Sequence, residues 1–221
     1  MCIRDSCQRT VGSGRRHRHG PYRFYAPIYD RVFSSRLKGS YEGMYSALDL
    51  EDGATVLEVG VGTGASLDFC PTGVRVEAID FSEPMLEKAR ARTSKRVDAP
   101  DVNFTKMDAH SLEFPDGHFD HSMISHALAV VAEPECVLRE MKRVTKPSGK
   151  IVIVNHYKRG GGALISLFNP IRKRFGLGMH VDFESMISEC GLEIELSKKI
   201  GRSHRTLFVC VYPDSNEWGG A

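Results

Sequence analysis

The residues most able to do chemistry lie where a short apolar run meets a glycine-rich turn. Residues 56–64 read VLEVGVGTG, with glycines at positions 60, 62 and 64. Glycines let backbone N–H groups come close to a bound ligand. Asp80 ends the next apolar run, 20 residues after Gly60, and a carboxylate there accepts hydrogen bonds from ribose hydroxyls. The spacing predicts a site for a nucleoside-containing cofactor.

The positions of the glycines separate two kinds of cofactor. A dinucleotide turn has the pattern G-x-G-x-x-G, whose third glycine allows close helix–sheet packing behind a pyrophosphate. Here Gly64 comes one residue earlier, and Glu58 precedes the turn. A carboxylate at that place repels a pyrophosphate but suits a ligand with an ammonium group. S-adenosylmethionine carries both an ammonium and a sulfonium, so it is favoured over a dinucleotide.

A regular alternation of strands and helices would position these residues. Ser82 and Pro84 are typical of a helix start, and Pro147-Ser148-Gly149 is typical of a turn after a helix. The alternation predicts a parallel sheet with helices on both faces, followed by a terminal antiparallel hairpin. Strands are predicted over 55–59, 74–80, 102–106, 119–125, 150–155, 192–198 and 205–211, and helices over 65–70, 83–92, 134–145 and 181–190.

The chain of 221 residues fits one domain with different ends. Residues 1–20 lack periodicity and predict a disordered or non-native leader, residues 21–213 the folded domain, and residues 214–221 a tail. Tyrosine and apolar residues at helical spacing over 22–37 predict an amphipathic helix with an aromatic face. A second helix is predicted near 40–48.

Composition excludes several classes of protein. The net charge of +2 implies no strong polyanionic partner, and no apolar run of 18 residues indicates a membrane span. The six cysteines are scattered without a C-x-x-C pair, which indicates reduced thiols and, with no secretory signal visible, a cytoplasmic location. Apolar residues over 164–175 surround Arg172-Lys173-Arg174, a pattern typical of either a membrane-surface contact or an active-site lid.

Four stretches together resemble the class I S-adenosylmethionine-dependent methyltransferases over about residues 24–212. They are VLEVGVGTG, AIDFSEPMLEKAR, MDAHSLEFPDGHFD and KPSGKIVIVNH. The resemblance implies a single-domain α/β fold with a Rossmann-like seven-stranded sheet. Its last strand is antiparallel, helices cover both faces, and an N-terminal helical cap is present. It also implies S-adenosylmethionine as cofactor and no metal site.

The resemblance assigns a cofactor-binding role to a set of residues at the ends of the strands. The alternatives are core packing for Phe81 and Met107, a cap or turn for Asp108, and an ordinary polar contact for His126. The implied roles are Glu58 near the ammonium; Gly60, Gly62 and Gly64 along the methionine moiety; Asp80 on the ribose hydroxyls; Phe81 and Met107 on the two faces of adenine; Asp108 on its exocyclic amine; and Ser125 and His126 facing the methyl donor.

Within the superfamily, YAPIYDRVF, HALAVVAEPECVLREMKRV and VIVNH resemble small bacterial phosphatidylethanolamine N-methyltransferases. Quinone-ring C-methyltransferases are the next most similar group. The first resemblance implies methylation of phosphatidylethanolamine towards phosphatidylcholine at an anionic membrane surface. The alternatives are a small-molecule or quinone-precursor methyltransferase, or a non-enzymatic binding protein. No nucleic-acid partner is expected, because no Asn/Asp-Pro-Pro-Tyr/Phe motif or basic stripe is present.

Catalytic roles follow from the amine acceptor that this resemblance implies. The amine must lose a proton before it attacks a methyl group, and His126, His156 or a tyrosine could accept that proton. The methylated product is a quaternary ammonium, which aromatic faces hold by cation–π attraction. Tyr25 and Tyr29 on the predicted aromatic helix are candidates for both tasks.

Overall fold

The computed structural model describes residues 37–129, 131, 133–156, 182–200 and 205–213. The predicted leader, the aromatic helix over 22–37 with Tyr25 and Tyr29, the segment 164–175 and the tail lie outside the described residues. Every structural statement below concerns the described ranges.

Seven strands form one mixed sheet in the order β3-β2-β1-β4-β5-β7-β6. Strands β1 to β5 are parallel to one another, and β7 runs antiparallel to both β5 and β6. The predicted sheet with an antiparallel last strand is therefore confirmed. The strands are β1 (Thr55–Val59), β2 (Arg75–Asp80), β3 (Asp101–Lys106), β4 (His121–Ser125), β5 (Ile151–His156), β6 (Glu193–Ile200) and β7 (Arg205–Val211).

Helices cover both faces of the sheet. Helix α1 spans 37–47, α2 spans Glu83–Thr93, α3 spans Pro134–Val144 and α4 spans Phe183–Glu189. One core cluster joins α1 and α2 to one face of the sheet, and a second cluster joins α3 and α4 to the other. The central strands are apolar on both faces because both are buried, as in other parallel sheets.

The predicted helix over 65–70 is wrong in extent. The chain makes only a four-residue 3-10 turn, Ser66–Phe69. Pro71 follows directly, and the residue before a proline is driven out of the helical region by steric contact with the proline ring. Cys70 accordingly has extended backbone angles, φ −66° and ψ 126°.

The order of the strands creates a crevice beside β1. The chain moves outwards from β1 to β2 and β3, then returns to place β4 on the other side of β1. Val59 at the end of β1 pairs with Ile79 of β2 and Ile124 of β4. Ligands of open α/β sheets bind at such a switch point, outside the carboxyl ends of the strands.

The prediction of reduced thiols holds for three described cysteines and is wrong for a fourth. Cys70, Cys190 and Cys210 are buried free thiols, and burial raises the pKa of Cys70 to about 11. Cys136 is disulfide-bonded. Because disulfides persist in oxidising surroundings, the cysteines alone do not support the predicted cytoplasmic location.

Candidate active site

The glycine turn forms the floor of the crevice. Gly60, Gly62 and Gly64 all have left-handed backbones, with φ of 71°, 56° and 74°. A Cβ on Gly60 would lie 2.9 Å from the Cβ of Ala127, and one on Gly64 would lie 3.0 Å from the Cβ of Ala89, whereas one on Gly62 would meet nothing within 4 Å. The outer two glycines are therefore needed for packing, and Gly62 faces open space.

Asp80 joins the glycine turn to the tip of β2. Its Oδ2 accepts a hydrogen bond from the Gly62 N–H at 2.9 Å, and its Oδ1 accepts one from the Ser82 N–H at 2.8 Å. Burial raises the pKa of Asp80, and these amide hydrogen bonds oppose the rise. Each carboxylate oxygen can accept a further hydrogen bond, so Asp80 can hold two ribose hydroxyls without giving up its amide contacts.

Ser82 has the predicted place at the start of a helix. It is the N-cap residue of α2, and Pro84 lies in the first turn, yet the Ser82 side chain makes no capping hydrogen bond. Its backbone N–H is used by Asp80 instead. The start of α2 therefore helps to orient the Asp80 carboxylate.

Glu58 is a buried carboxylate at the base of the turn, 2% exposed. It accepts hydrogen bonds from the Ser66 hydroxyl and from the Tyr45 hydroxyl, the latter at 3.3 Å. Burial raises the pKa of Glu58 to about 7, while the two hydroxyls act in the opposite direction. No basic side chain within the described ranges forms an ion pair with it. A ligand ammonium placed here would supply the opposite charge.

Phe81 and Met107 lie at neighbouring strand ends. The Phe81 side chain is 52% exposed, unusual for a large apolar residue, so the alternative of simple core packing does not describe it. Met107 is partly buried against the core, and its N–H donates to the Asp80 carbonyl at 3.2 Å. An exposed ring beside a half-buried thioether provides a surface on which a flat heterocycle can lie.

Asp108 is a turn residue that also presents its carboxylate outwards. Its Oδ1 accepts the backbone N–H of His110 at 3.0 Å and lies 2.7 Å from the His110 ring Nδ1. The Asp108 side chain is 42% exposed. The turn contact that sequence reasoning offered as the alternative is therefore present and is compatible with the predicted ligand contact.

The loop that follows Asp108 is held in place by one arginine of α3. Arg143 donates to the carbonyl oxygens of Leu112 and Phe114 at 2.9 and 2.8 Å, and it forms ion pairs with Glu140 and Asp116. The Arg143 side chain is 16% exposed. This network fixes the path of the chain between β3 and β4, and hence the place of Asp108.

The end of β4 brings two predicted residues to the crevice. The Ser125 hydroxyl is buried and has no hydrogen-bond partner among the described residues. His126 has a left-handed backbone with φ 56°, and its N–H donates to the Val154 carbonyl of β5 at 2.8 Å. Strained backbones in non-glycine residues concentrate at functional sites. His156 ends β5, two residues beyond Val154.

Sequence reasoning missed several residues that the fold brings to this edge. Tyr45 and Ser66 hold Glu58, and His110 holds Asp108. Arg205, 8% exposed, donates to the Ser40 hydroxyl at 3.1 Å and pairs with His156 across the sheet. Because β7 is antiparallel, its first residue lies where the parallel strands end. A tyrosine within an apolar helix face is the one sequence signal, since a buried tyrosine hydroxyl needs a partner.

The part of the chain that the structure describes contains neither a cluster of metal ligands nor a helix able to cross a bilayer. No group of three or more histidine, cysteine or acidic side chains there is arranged to hold a metal ion. None of the helices in those ranges has the length and apolar character that a bilayer crossing requires.

Comparison with known proteins decides the family. The profile of the family described as "Methyltransferase domain" matches residues 57–153. The phosphatidylethanolamine N-methyltransferase of Cereibacter sphaeroides is 41% identical over 145 residues, which cover 64% of this chain and 71% of that protein. The chain belongs to the S-adenosylmethionine-dependent methyltransferases.

Other methyltransferases are similar to this chain in fold or in sequence. A solved S-adenosylmethionine-dependent methyltransferase from Aquifex aeolicus superposes with a TM-score of 0.63 at 22% identity, over 80% of this chain and 92% of that one. The demethylmenaquinone methyltransferase of Paenarthrobacter aurescens is 44% identical over 133 residues, which cover 58% of this chain and 50% of that protein. The names of the two curated relatives give different methyl acceptors, phosphatidylethanolamine and demethylmenaquinone.

The described residues fit the cofactor of this family, S-adenosylmethionine. Gly62 faces open space at the floor, Asp80 retains acceptor capacity for two hydroxyls, and Glu58 needs a positive partner. The exposed face of Phe81 and the outward carboxylate of Asp108 lie at the next two strand ends. Methionine, ribose and adenine moieties thus each have matching groups, in chain order along the crevice. The protein is a methyltransferase enzyme that uses this donor.

Proposed function

We propose that the acceptor is the amine of phosphatidylethanolamine and of its mono- and dimethylated forms, methylated towards phosphatidylcholine. The observation that carries the proposal is the 41% identity to the phosphatidylethanolamine N-methyltransferase of Cereibacter sphaeroides, which extends over 71% of that protein. The demethylmenaquinone methyltransferase of Paenarthrobacter aurescens is matched over only half of its length. The match to the lipid enzyme is also the longer of the two, 145 residues against 133.

The reaction is a displacement that depends on alignment. When bound, S-adenosylmethionine supplies a methyl group on a sulfonium; the amine nitrogen forms a bond to it as the sulfur–carbon bond breaks. The protein has to hold the two groups in line and exclude water, which accounts for much of the rate gain in such reactions. Ser125 and His126, at the end of β4 beside the glycine turn, are the described residues that we assign to this task.

The acceptor ammonium must first lose a proton. We assign this proton to His126, since an imidazole accepts protons near neutral pH and its backbone is held in a strained conformation at the crevice. Tyr25, Tyr29 and His156 remain candidates for proton relay and for cation–π contact with the methylated ammonium. In this proposal each transfer begins with loss of a proton from the nitrogen, and the new carbon–nitrogen bond then forms. The third transfer leaves a quaternary nitrogen with no proton to lose, so that product is a permanent cation.

Access to a lipid requires contact with a membrane surface, which we propose for the segment 164–175. Its apolar residues surround the cluster Arg172-Lys173-Arg174, and basic residues near an anionic surface contribute about 1 kcal/mol each. Replacement of all three by Gln should weaken co-sedimentation with anionic vesicles at low salt, while donor affinity stays unchanged. Equal sedimentation of the variant and the wild type would contradict the membrane contact.

A labelling experiment tests the acceptor. The protein is incubated with methyl-labelled S-adenosylmethionine and vesicles of phosphatidylethanolamine, and the lipids are then extracted and separated by headgroup. Label is expected in the mono-, di- and trimethylated headgroups, and vesicles made with the monomethyl lipid should also be substrates. Asp80→Asn, which is isosteric but lacks the charge for the ribose hydroxyls, serves as the control that lacks donor binding.

Quinone methylation is the second candidate, favoured by the 44% identity to the Paenarthrobacter aurescens enzyme. The same incubation with a demethylated menaquinone precursor in phosphatidylcholine vesicles provides its test. Label in the quinone and none in any headgroup would overturn the lipid proposal and support this one. Label found only in the aqueous fraction would contradict both and indicate a small polar acceptor.

His126 can be tested without disturbing its backbone. Asparagine tolerates a left-handed conformation better than other non-glycine residues, so His126→Asn should fold and bind donor as the wild type does. Its methylation rate should fall by about 100-fold or more. A variant rate within a factor of three of wild type would assign proton removal to another residue. The comparison uses the monomethyl lipid at saturating donor.

A further inference from the structure

The carboxylate of Asp108 has a histidine as a close neighbour. His110 reaches Oδ1 of Asp108 twice, through its backbone N–H at 3.0 Å and its ring Nδ1 at 2.7 Å. The two side chains differ in exposure, 17% for His110 and 42% for Asp108. The histidine thus lies behind the carboxylate, on the side away from solvent.

The His110 ring is committed to this one contact within the described ranges. Its other nitrogen, Nε2, is inaccessible to solvent and has no hydrogen-bond partner there. Nδ1 must carry the hydrogen for it to donate to a carboxylate. The hydrogen bond to Asp108 raises the pKa of His110, and burial opposes the rise. In both the neutral Nδ1–H form and the charged form, the ring donates to the same oxygen.

Two donors on one oxygen fix the rotation of a carboxylate. With Oδ1 held from the protein side, the plane of the Asp108 carboxylate and the direction of Oδ2 are set before a ligand binds. A half-exposed aspartate without such a partner samples several rotamers, and binding must then pay for their loss. The carboxylate oxygens are hydrogen-bond acceptors, which is the property that the exocyclic amine of a purine requires.

We propose that His110 is a positioning residue for recognition of the donor's purine, in which it holds Oδ1 of Asp108 so that Oδ2 meets the exocyclic amine of adenine. The proposal rests on the assignment of Asp108 to adenine, and it does not depend on the identity of the methyl acceptor. A carboxylate in that place accepts from a 6-amino group and repels the oxygen of a 6-oxo purine. His110 would therefore contribute to selectivity between adenine and hypoxanthine.

Binding calorimetry tests the proposal with two products that differ at this one group, S-adenosylhomocysteine and S-inosylhomocysteine. The wild type should prefer the adenosyl compound by about 10- to 100-fold, the range expected for a hydrogen bond to a charged group. His110→Ala should reduce that preference about fivefold or more. His110→Asn should restore most of it, because the asparagine amide nitrogen is attached to Cγ as the histidine Nδ1 is.

Two controls separate the premise from the proposal. Asp108→Asn should remove the preference altogether; if it does not, Asp108 is not the adenine acceptor and the premise fails. If Asp108→Asn removes the preference but His110→Ala leaves it at the wild-type value, the proposal is wrong and His110 only stabilises the turn. His110→Gln, whose longer side chain cannot place a donor at the Nδ1 position, replaces the alanine variant if that variant does not fold.

Discussion

Glu58 is buried, and no basic side chain among the described residues forms an ion pair with it. Its carboxylate is almost fully inaccessible, and its described partners are the hydroxyls of Ser66 and Tyr45. A hydroxyl donor stabilises a carboxylate less than a neighbouring cation would. The effect of burial is therefore larger than that of the two hydroxyls, and it raises the pKa of Glu58 from 4.5 to about 7. The donor-free protein therefore keeps a proton on this group over much of the acidic range.

A raised pKa makes stability depend on pH in a known direction. The folded state binds the Glu58 proton more tightly than the unfolded state, so this contribution is fully present below pH 4.5 and is lost as the pH rises towards 7. The loss amounts to about 3 kcal/mol. Denaturant titrations of wild type and Glu58→Gln at pH 4.5 and 8 should therefore converge at the lower pH and differ at the higher, with the variant more stable.

Tyr45→Phe is the matched control for that comparison. The substitution removes the Tyr45 hydroxyl that donates to Glu58 and keeps the ring in the core. Because that hydrogen bond lowers the pKa of Glu58, the variant should hold the Glu58 proton to a still higher pH. The free energy of unfolding of Tyr45→Phe should still fall as the pH rises, but the fall should extend to a higher pH than in the wild type. A difference between wild type and Glu58→Gln that does not vary with pH would contradict the assignment.

Asp80 should dominate donor affinity. Asp80→Ala removes the acceptors for two ribose hydroxyls and leaves the Gly62 and Ser82 amides without their partner. Loss of two charge-assisted hydrogen bonds should lower the affinity for S-adenosylhomocysteine by about 100-fold or more, measured by calorimetry. Affinities within threefold of each other would show that the ribose is held elsewhere.

Sequence alone predicted a set of residues for the ligand site and missed the side chains that hold those residues in place. Glu58 and Asp80 could be placed because a strand, a glycine turn and a second strand fix their positions locally. Tyr45 and His110 contribute through side-chain contacts that depend on helix packing and turn geometry. A hydroxyl 13 residues before its carboxylate partner has no pattern in the sequence that marks it.

At the scale of elements, two glycines of the turn have different roles: Gly64 allows close packing against α2, and Gly62 leaves space for a ligand. Gly64→Ala places a Cβ 3.2 Å from the Cα of Ala89 in α2, and main-chain atoms of a helix cannot move aside cheaply. With the strain of φ 74°, the loss of stability should be about 2 kcal/mol or more. Gly62→Ala meets no neighbour and should cost about 1 kcal/mol, yet lower donor affinity at least tenfold. Thermal melts and calorimetry measure the two effects separately.

Arg143 should be the most costly single side chain to remove from the loop between β3 and β4. Arg143→Met leaves the carbonyls of Leu112 and Phe114 without their donor, which should destabilise the protein by about 2–3 kcal/mol. Asp116, 82% exposed, provides the control, since Asp116→Asn breaks an exposed ion pair and should change stability by less than about 1 kcal/mol. Urea titration measures the free energy of unfolding of both variants. Equal effects of Arg143→Met and Asp116→Asn would contradict the role of Arg143 in holding the loop between β3 and β4.

Element boundaries followed from the sequence to within two residues for all seven strands. Apolar runs bounded by glycine, proline and polar residues are enough to locate buried parallel strands. The exception was the segment 65–70, where a helical pattern was cut short by Pro71. Local patterns predict how a segment would fold in isolation, and a proline one position beyond the pattern can override them.

At the scale of the whole molecule, donor binding should raise thermal stability. S-adenosylhomocysteine at 100 times its Kd stabilises the folded state by about 2.7 kcal/mol, equivalent to a rise in Tm of about 5–10 °C for a domain of this size. NADH should not raise the Tm of the wild type, and S-adenosylhomocysteine should not raise the Tm of Asp80→Ala. A shift with NADH would contradict the reasoning from the glycine spacing.

The acceptor is the part of the function that fold-level reasoning does not reach. Methyltransferases with different acceptors share the sheet and the donor crevice, and they differ in segments grafted onto them. The predicted acceptor residues Tyr25 and Tyr29 belong to such a segment, before α1. The residues predicted to bind the donor lie at strand ends, whose places follow from the apolar runs of one sequence.

The position of β7 has a consequence for synthesis of the chain on the ribosome. Strand β5 pairs with β7 along its whole length, from Ile151 with Cys210 to His156 with Arg205, while β6 contacts the sheet only through β7. About 50 residues separate the end of β5 from the start of β7, which corresponds to roughly 2–10 s of translation. Throughout that interval the apolar edge of β5 lacks its neighbour, and an unpaired edge of this kind is a template for aggregation. A nascent chain that stalls there already contains every residue assigned to the donor, and we expect it to be a substrate for chaperones.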